Sequence, residues 1–251
     1  MLIADAFARR ILHHVQQVHP PSHVGRPRTL GDAEALDCMF RVCRTGMQWR
    51  EVQASVSYSV VFRRMSMWMQ MGVFRDAYTD VLRLYKKLMS PTRYVVDSSK
   101  SRNRYGRRAH VGPDHTDRGR NAVKLSLLTD QNGVAHALSV DPGNRPDVVL
   151  LRSTLASAFV NLDKLPLFAD RGYDSRKNRA IAAEYGLRDR IFRRRTRSTR
   201  RANARRIVVE HTFAWLDGYR RLHRMYEHTS EKFASFALLA LGNLMASRFL
   251  G

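Results

Sequence analysis

Acidic residues and cysteines are scarce in this sequence. Its 251 residues hold 22 Asp and Glu against 44 Lys and Arg, a formal net charge of +22 at pH 7. Such an excess attracts a polyanion, nucleic acid or an anionic membrane, and says nothing of the fold. Two cysteines, Cys38 and Cys43, are too few for a disulfide framework or a Cys-rich zinc site, so zinc fingers are excluded and a reducing compartment fits. No run of about 20 apolar residues is present to span a bilayer. The longest candidate, Phe233 to Leu250, is broken by Ser235, Gly242, Asn243, Ser247 and Arg248 and reads as a packed C-terminal helix. Met1 to Val18 is amphipathic and carries arginine as a transit peptide would, but Asp5 argues against that. The hydrophobic content of 44% provides for a core and excludes a wholly disordered basic tail.

Apolar positions recur at helical spacing through the first ninety or so residues. Thr29 or Asp32 is placed to cap a helix through Leu36, Met39, Phe40 and Cys43, ended by Gly46. A second helix is predicted from Tyr58 to Met71, stopped by Gly72, and a third from Phe74 to Met89. The alternation of Met65, Met67, Met69 and Met71 suits a strand as well; Arg63 and Arg64, opposite the stripe of Val61, Met65 and Trp68, favour helix. After Pro91 the period changes. Tyr94 to Asp97 reads as a short buried strand, followed by a basic loop holding Lys100, Arg102, Arg104, Arg107, Arg108, Arg118 and Arg120. Ala122–Thr129 and Val134–Val140 flank Asp130-Gln131-Asn132-Gly133, a hairpin signal. Asp147 is placed to cap a helix through Val160, Leu165 to Asp170 reads as a fourth strand, and Ser175 to Tyr185 as a helix ended by Gly186. A helix from about Ala204 to Leu216 and the C-terminal apolar helix close the chain.

With acids so few, those at the ends of buried elements stand out. Asp97 ends the first predicted strand and Asp170 the fourth. In a mixed sheet whose helical crossover returns the fourth strand beside the first, both carboxylates emerge at one edge. Glu210, beside the apolar stripe of Val209, Phe213 and Leu216, is placed to join them from a helix. Each has a plainer reading: Asp97 as a turn former before Ser98-Ser99, Asp170 as the cap of a tight turn, and Glu210 as the partner of Arg206 one helical turn earlier. Taken together, three carboxylates suit two Mg²⁺ ions, hard cations that prefer oxygen ligands, in phosphodiester chemistry. The basic flanks would supply the DNA.

Arg44-Thr45-Gly46-Met47-Gln48-Trp49-Arg50, the later Trp68 and Gly72-Val73-Phe74, the run from Ala169 to Ser175, and Val208 to Leu216 followed by Tyr219-Arg220-Arg221-Leu222 together resemble a DDE transposase of the bacterial insertion-sequence type, the IS-five family. The likeness covers almost the whole chain in the right order. It implies an α+β protein with an RNase H-like mixed sheet and flanking helices over residues 91–251, preceded by an all-helical, helix-turn-helix-like DNA-binding module over residues 1–90. It implies Mg²⁺-dependent cutting and joining of transposon ends, with Mn²⁺ able to substitute, and maps the triad onto Asp97, Asp170 and Glu210. Double-stranded DNA, both transposon end and target, is the implied partner, with a homodimer assembled on it and no membrane. The implied place is the nucleoid of a bacterial cytoplasm, or the nucleus for a eukaryotic or viral source. A domesticated DNA-binding protein and a structure-selective nuclease on the same fold are the alternatives.

Between Arg193 and Arg206 stand eight arginines and no acid. A solvated face and a nuclear-localisation signal are readings of this tract, but a loop lying along DNA beside Glu210 suits it better, since guanidinium groups make bidentate phosphate contacts. Arg193, Arg194, Arg195, Arg197 and Arg206, with Arg220 and Arg221, are the expected phosphate contacts. In the N-terminal module Arg26, Arg28, Arg50, Arg63 and Arg64 are candidates for reading DNA. His110, Asp114, His115 and Asp117 could mimic a metal site, but Gly112-Pro113 among them favours a basic loop.

Overall fold

The computed structural model describes residues 3–20, 28–104, 111–193 and 200–250, the last with side chains from 206 onward. The helical periodicity of the first part folds as read. α1 (Asp5–Val18), α2 (Asp32–Thr45), α3 (Tyr58–Gln70) and α4 (Val73–Leu88) each bury one apolar stripe, with Val61, Met65 and Trp68 inward on α3, so the methionine alternation belongs to a helix. Gly46 ends α2 in the left-handed region at φ 71°, its N–H donating to the carbonyl of Val42. Asp32 is the first residue of α2 rather than its cap; its carboxylate pairs with Arg64.

The sheet is mixed. β1 (Tyr94–Asn103) pairs antiparallel with β3 (Arg120–Asp130), and β3 with β4 (Ala135–Pro142), across the predicted hairpin. β5 (Pro166–Ala169) lies parallel to β1 on its other side, and β6 (Arg188–Ile191) parallel to β5. β2 (Gly112–Asp114) pairs with β3, and β7 (Arg224–Met225) with the far end of β1. This is an RNase H-like mixed sheet with helices on both faces. On one face α5 (Asp147–Ala156) and α6 (Arg176–Glu184) bury Leu150, Leu151, Leu155 and Ile181 against Tyr94, Val96 and Leu128. On the other lie α7 (Arg200–Asp217), the one-turn α8 (Arg220–His223) and α9 (Ser230–Phe249).

Three departures from the sequence reading bear on the site. β1 does not stop at Asp97: it continues through Ser98, Ser99 and Lys100 to Asn103, where a basic loop was expected, held by nine successive partners on β3 from Asp130 to Ala122. α5 ends at Ala156 rather than Val160. The expected boundary at Ser90–Pro91 falls between α4 and β1, yet the two sides share one core, in which α1 to α4 pack on α9 and α9 packs on β4, with Leu125, Leu127 and Leu138 in the same cluster. α1 meets α9 at Gly242, where an added Cβ would collide with the Phe7 ring. Gly242→Ala should therefore destabilise the protein by roughly 1–3 kcal/mol through overpacking, read as a lower urea midpoint at unchanged m-value.

Candidate active site

Side chains alternate across a strand, so Val95, Asp97, Ser99 and Ser101 face the α7 side while Tyr94, Val96 and Ser98 face α5. On β5 the same alternation puts Phe168 with Val95 and Val209 of α7. The parallel register pairs Val96 with Ala169, so Asp97 on β1 and Asp170, the residue directly after β5, follow as neighbours. α7 crosses above them, and Arg206 and Glu210, one turn apart, share its sheet-facing edge. The Arg206 guanidinium is 3.6 Å from Asp97 Oδ2, 3.2 Å from Asp170 Oδ1 and 3.9 Å from Glu210 Oε1. The structure thus brings all three sequence-predicted acids around one cation.

Burial, with the charges of Asp147 and Asp170 nearby, pushes the Asp97 carboxyl up to about 6, against the opposing pull of its Ser98 N–H bond and Arg206. Asp147 is a fourth acid beside the site, which the sequence reading treated only as a helix cap. Pro146 occupies the cap position, and the Asp147 carboxylate instead accepts from Ser98 Oγ and from the Nζ of buried Lys124, each at 2.8 Å. Lys124 is therefore tied behind the sheet, not aimed at the acids. Tyr173 lies buried beside this group, its ionisation pushed up by burial and by Asp147 and Asp97. No feature of the sequence beyond its place after Pro146 marks Asp147. The three carboxylates are hard oxygen donors of the kind a divalent cation prefers, and the point between them is held by the Arg206 guanidinium. With Arg206 between them, no three Asp, Glu, His or Cys side chains among the described residues are grouped closely enough to hold one metal ion. Asp114 and Asp117, considered as metal ligands with His115, are taken by Lys100 and by Arg102 and Arg120; His110 lies outside the described residues.

The family described as "Transposase DDE domain" matches residues 89–246, and "Putative transposase of IS4/5 family" matches residues 3–77. The chain belongs to the DDE transposases of insertion sequences. A relative from Burkholderia cepacia, described as a putative transposase for insertion sequence element IS402, is 34% identical over 160 residues, spanning 61% of this chain and 74% of the relative. Among solved structures, the Mos1 mariner paired end complex with Mn aligns over 97% of this chain and 86% of that one, at 13% identity and a TM-score of 0.28.

The transposase does not spend all its expected DNA-binding arginines on the surface. Arg206 is turned into the acid cluster, with 13% of its side chain exposed, because α7 sets it directly above Asp97 and Asp170. Arg221, an expected phosphate contact, is buried: it donates to Glu227 Oε1 at 2.7 Å and lies over the rings of Tyr226 and Phe236, so it braces α8. In the N-terminal helices Arg64 is likewise buried on Asp32 and the Leu30 carbonyl, and Arg28 donates to the carbonyls of His19 and Pro20. Arg50, Arg63, Arg193 and Arg220 are exposed. Arg26, Arg107, Arg108, Arg194, Arg195 and Arg197 lie outside the described residues. A basic groove that the sequence did not announce as one runs from Ser99 past Lys100 and Arg102 to Arg220, His223 and Arg224, enclosing about 810 Å³.

Proposed function

We propose that Asp97, Asp170 and Glu210 are the catalytic carboxylates with which this transposase cleaves the ends of its insertion element and joins them to target DNA, by phosphodiester hydrolysis and then transesterification. The observation that carries this is the meeting of Asp97 on β1, Asp170 directly after the adjacent parallel β5, and Glu210 on α7 around a single cationic group. Mg²⁺, or Mn²⁺ in its place, would be held by these three and would activate the attacking oxygen while stabilising the leaving one. The chain's own part is to fix the carboxylates: the β1 and β5 ladders set Asp97 and Asp170, and Val209, buried on Val95 and Phe168, sets α7 and hence Glu210. No protein nucleophile is required.

Double-stranded DNA is the substrate, its backbone lying in the groove that begins at Ser99, two residues beyond Asp97 on the same strand. Two ends must be cut, which calls for a homodimer assembled on DNA. Incubation with a duplex bearing the element's own end, a target duplex and Mg²⁺ should give cleaved and joined products. Cleavage without joining would make the protein a nuclease, and binding with neither would make it a DNA-binding protein that has lost its chemistry. The exposed groove arginines make a separate prediction. Arg220→Ala with Arg224→Ala should flatten the dependence of log affinity on log salt by roughly 0.9 per lost phosphate contact. An unchanged slope, measured by fluorescence anisotropy across a salt series, would take the groove off the DNA path.

A further inference from the structure

Three other enclosed arginines among the described residues tie parts of the fold together. Arg221 holds Glu227, the Met47 carbonyl and two aromatic faces; Arg64 holds Asp32 and the Leu30 carbonyl; Arg179 bridges Asp174 and Asp189. These are structural ties. Arg206 is different. Of its three carboxylate contacts only that to Asp170, at 3.2 Å, is a hydrogen bond, while those at 3.6 and 3.9 Å are contacts of charge alone. Its Nε is buried without a hydrogen-bond partner among the described residues, and its guanidinium lies 5.6 Å from the centre of the Phe192 ring. A guanidinium has five donors, and one that only locked α7 to the sheet would use more of them.

We infer that Arg206 is a resident counter-ion of the catalytic acids that gives way when divalent metal loads, so that one side chain sets the metal concentration at which the transposase becomes competent. This rests on the reading of Asp97, Asp170 and Glu210 as metal ligands. A metal-bound carboxylate oxygen lies about 2.0–2.1 Å from Mg²⁺. Arg206 and the metal therefore need the same oxygens and repel each other, and the site cannot hold both at its centre. Loosely engaged donors make the exchange affordable: Arg206 gives up one hydrogen bond, and the ring of Phe192 offers its guanidinium a nearby surface. While Arg206 occupies the acids, the apparent metal dissociation constant is the intrinsic one divided by the fraction of molecules in which Arg206 has moved aside.

Titration calorimetry with Mn²⁺ on the full chain, in the absence of DNA, tests this without any activity readout. Arg206→Gln should bind Mn²⁺ about tenfold more tightly than wild type, while Arg206→Lys, which keeps the charge, should stay within a few-fold of wild type. Without metal, Arg206→Gln should melt below wild type, since three carboxylates lose their cation, and added Mn²⁺ should raise its melting point by more than that of wild type. Equal or weaker Mn²⁺ binding by folded Arg206→Gln would overturn the inference and leave Arg206 a structural tie. Absence of Mn²⁺ binding by every form at millimolar metal would sink the ligand assignment itself, and the inference with it. Should Arg206→Gln fail to fold, the wild-type protein decides: the Nε–H resonance of Arg206, assigned by its loss in Arg206→Lys, should shift on Mg²⁺ titration in step with metal binding. A resonance unmoved at saturating Mg²⁺ would overturn the proposal.

Discussion

Asp97→Asn, Asp170→Asn and Glu210→Gln should each lower end cleavage by about 10³-fold or more, the loss of roughly 4 kcal/mol of transition-state stabilisation. Each should leave the fold and duplex binding close to wild type. The reason lies in how little the rest of the molecule depends on them. Glu210 and Asp170 keep 57% and 48% of their side-chain surface exposed, and the ion pairs of all three acids run to Arg206. Asp97 is the most enclosed, and burial already disfavours its charge. An amide of the same shape relieves that cost, so Asp97→Asn should melt at or above the wild-type temperature, as often happens when a destabilised active-site charge is removed. Duplex binding should hold or tighten, because a negative charge facing phosphate has gone. Single-turnover cleavage of an end-bearing duplex, with thermal melts alongside, reads both quantities. Cleavage within tenfold of wild type by any one variant would remove that residue from the site.

The acids were legible because they end apolar runs: Tyr94 to Val96 and Leu167 to Ala169 are continuous buried stretches, and a carboxylate directly after such a stretch is conspicuous in a chain this basic. The polar half of β1 was not. Ser98 to Asn103 has no apolar alternation, because that part of the strand is held by the backbone ladder to β3 and by polar ties such as Ser101 Oγ to the Leu222 carbonyl. β6, Arg188-Asp189-Arg190-Ile191, was not read as a strand either: it lies outermost beside β5 and needs one apolar face at most. The surroundings of the arginines were hidden for a different cause. Spacing shows that Arg206 and Glu210 share a helix face, but not that the face is turned onto Asp97. Whether Arg221 meets phosphate or Glu227 is decided by how α8 seats on α9, a tertiary fact with no local signature. Asp147 shows the limit most clearly, since one residue's shift in the cap, to Pro146, frees its carboxylate for Lys124 and Ser98.

Removing residues 1–90 should leave no cooperatively folded fragment, although the linker before β1 invites the cut. Helices α2 and α4 and the turn at Trp49 cover α9 and its neighbours with aromatic contacts that cross the cut: Trp49 on Phe236, Phe40 on Tyr219, Tyr85 on Phe249 and Tyr78 on Phe159. Polar ties cross it too. Tyr85 and Tyr78 donate at 2.7 Å to the Asp130 carboxylate and the Ala135 carbonyl, and the Ala4 N–H donates to Asn243 Oδ1 at 2.7 Å. Uncovering four large aromatic side chains at about 1.5–3 kcal/mol each forfeits roughly 6–12 kcal/mol, an upper estimate that still matches the whole stability of an ordinary domain. Buried Asp130 would at the same time lose its Tyr85 donor. The expected product is an aggregating or molten chain, with retained far-UV and lost near-UV circular dichroism. A soluble fragment with a sharp melting transition would show that the two segments fold apart. End recognition therefore has to be tested in the full chain, by replacing exposed Arg50 and Arg63 and competing end-bearing against scrambled duplexes at fixed salt. Base contacts specify and phosphate contacts only position, so loss of end preference with little loss of total affinity would put sequence reading in the N-terminal helices. Equal loss on both duplexes would leave these two arginines as phosphate contacts and move recognition elsewhere in the chain.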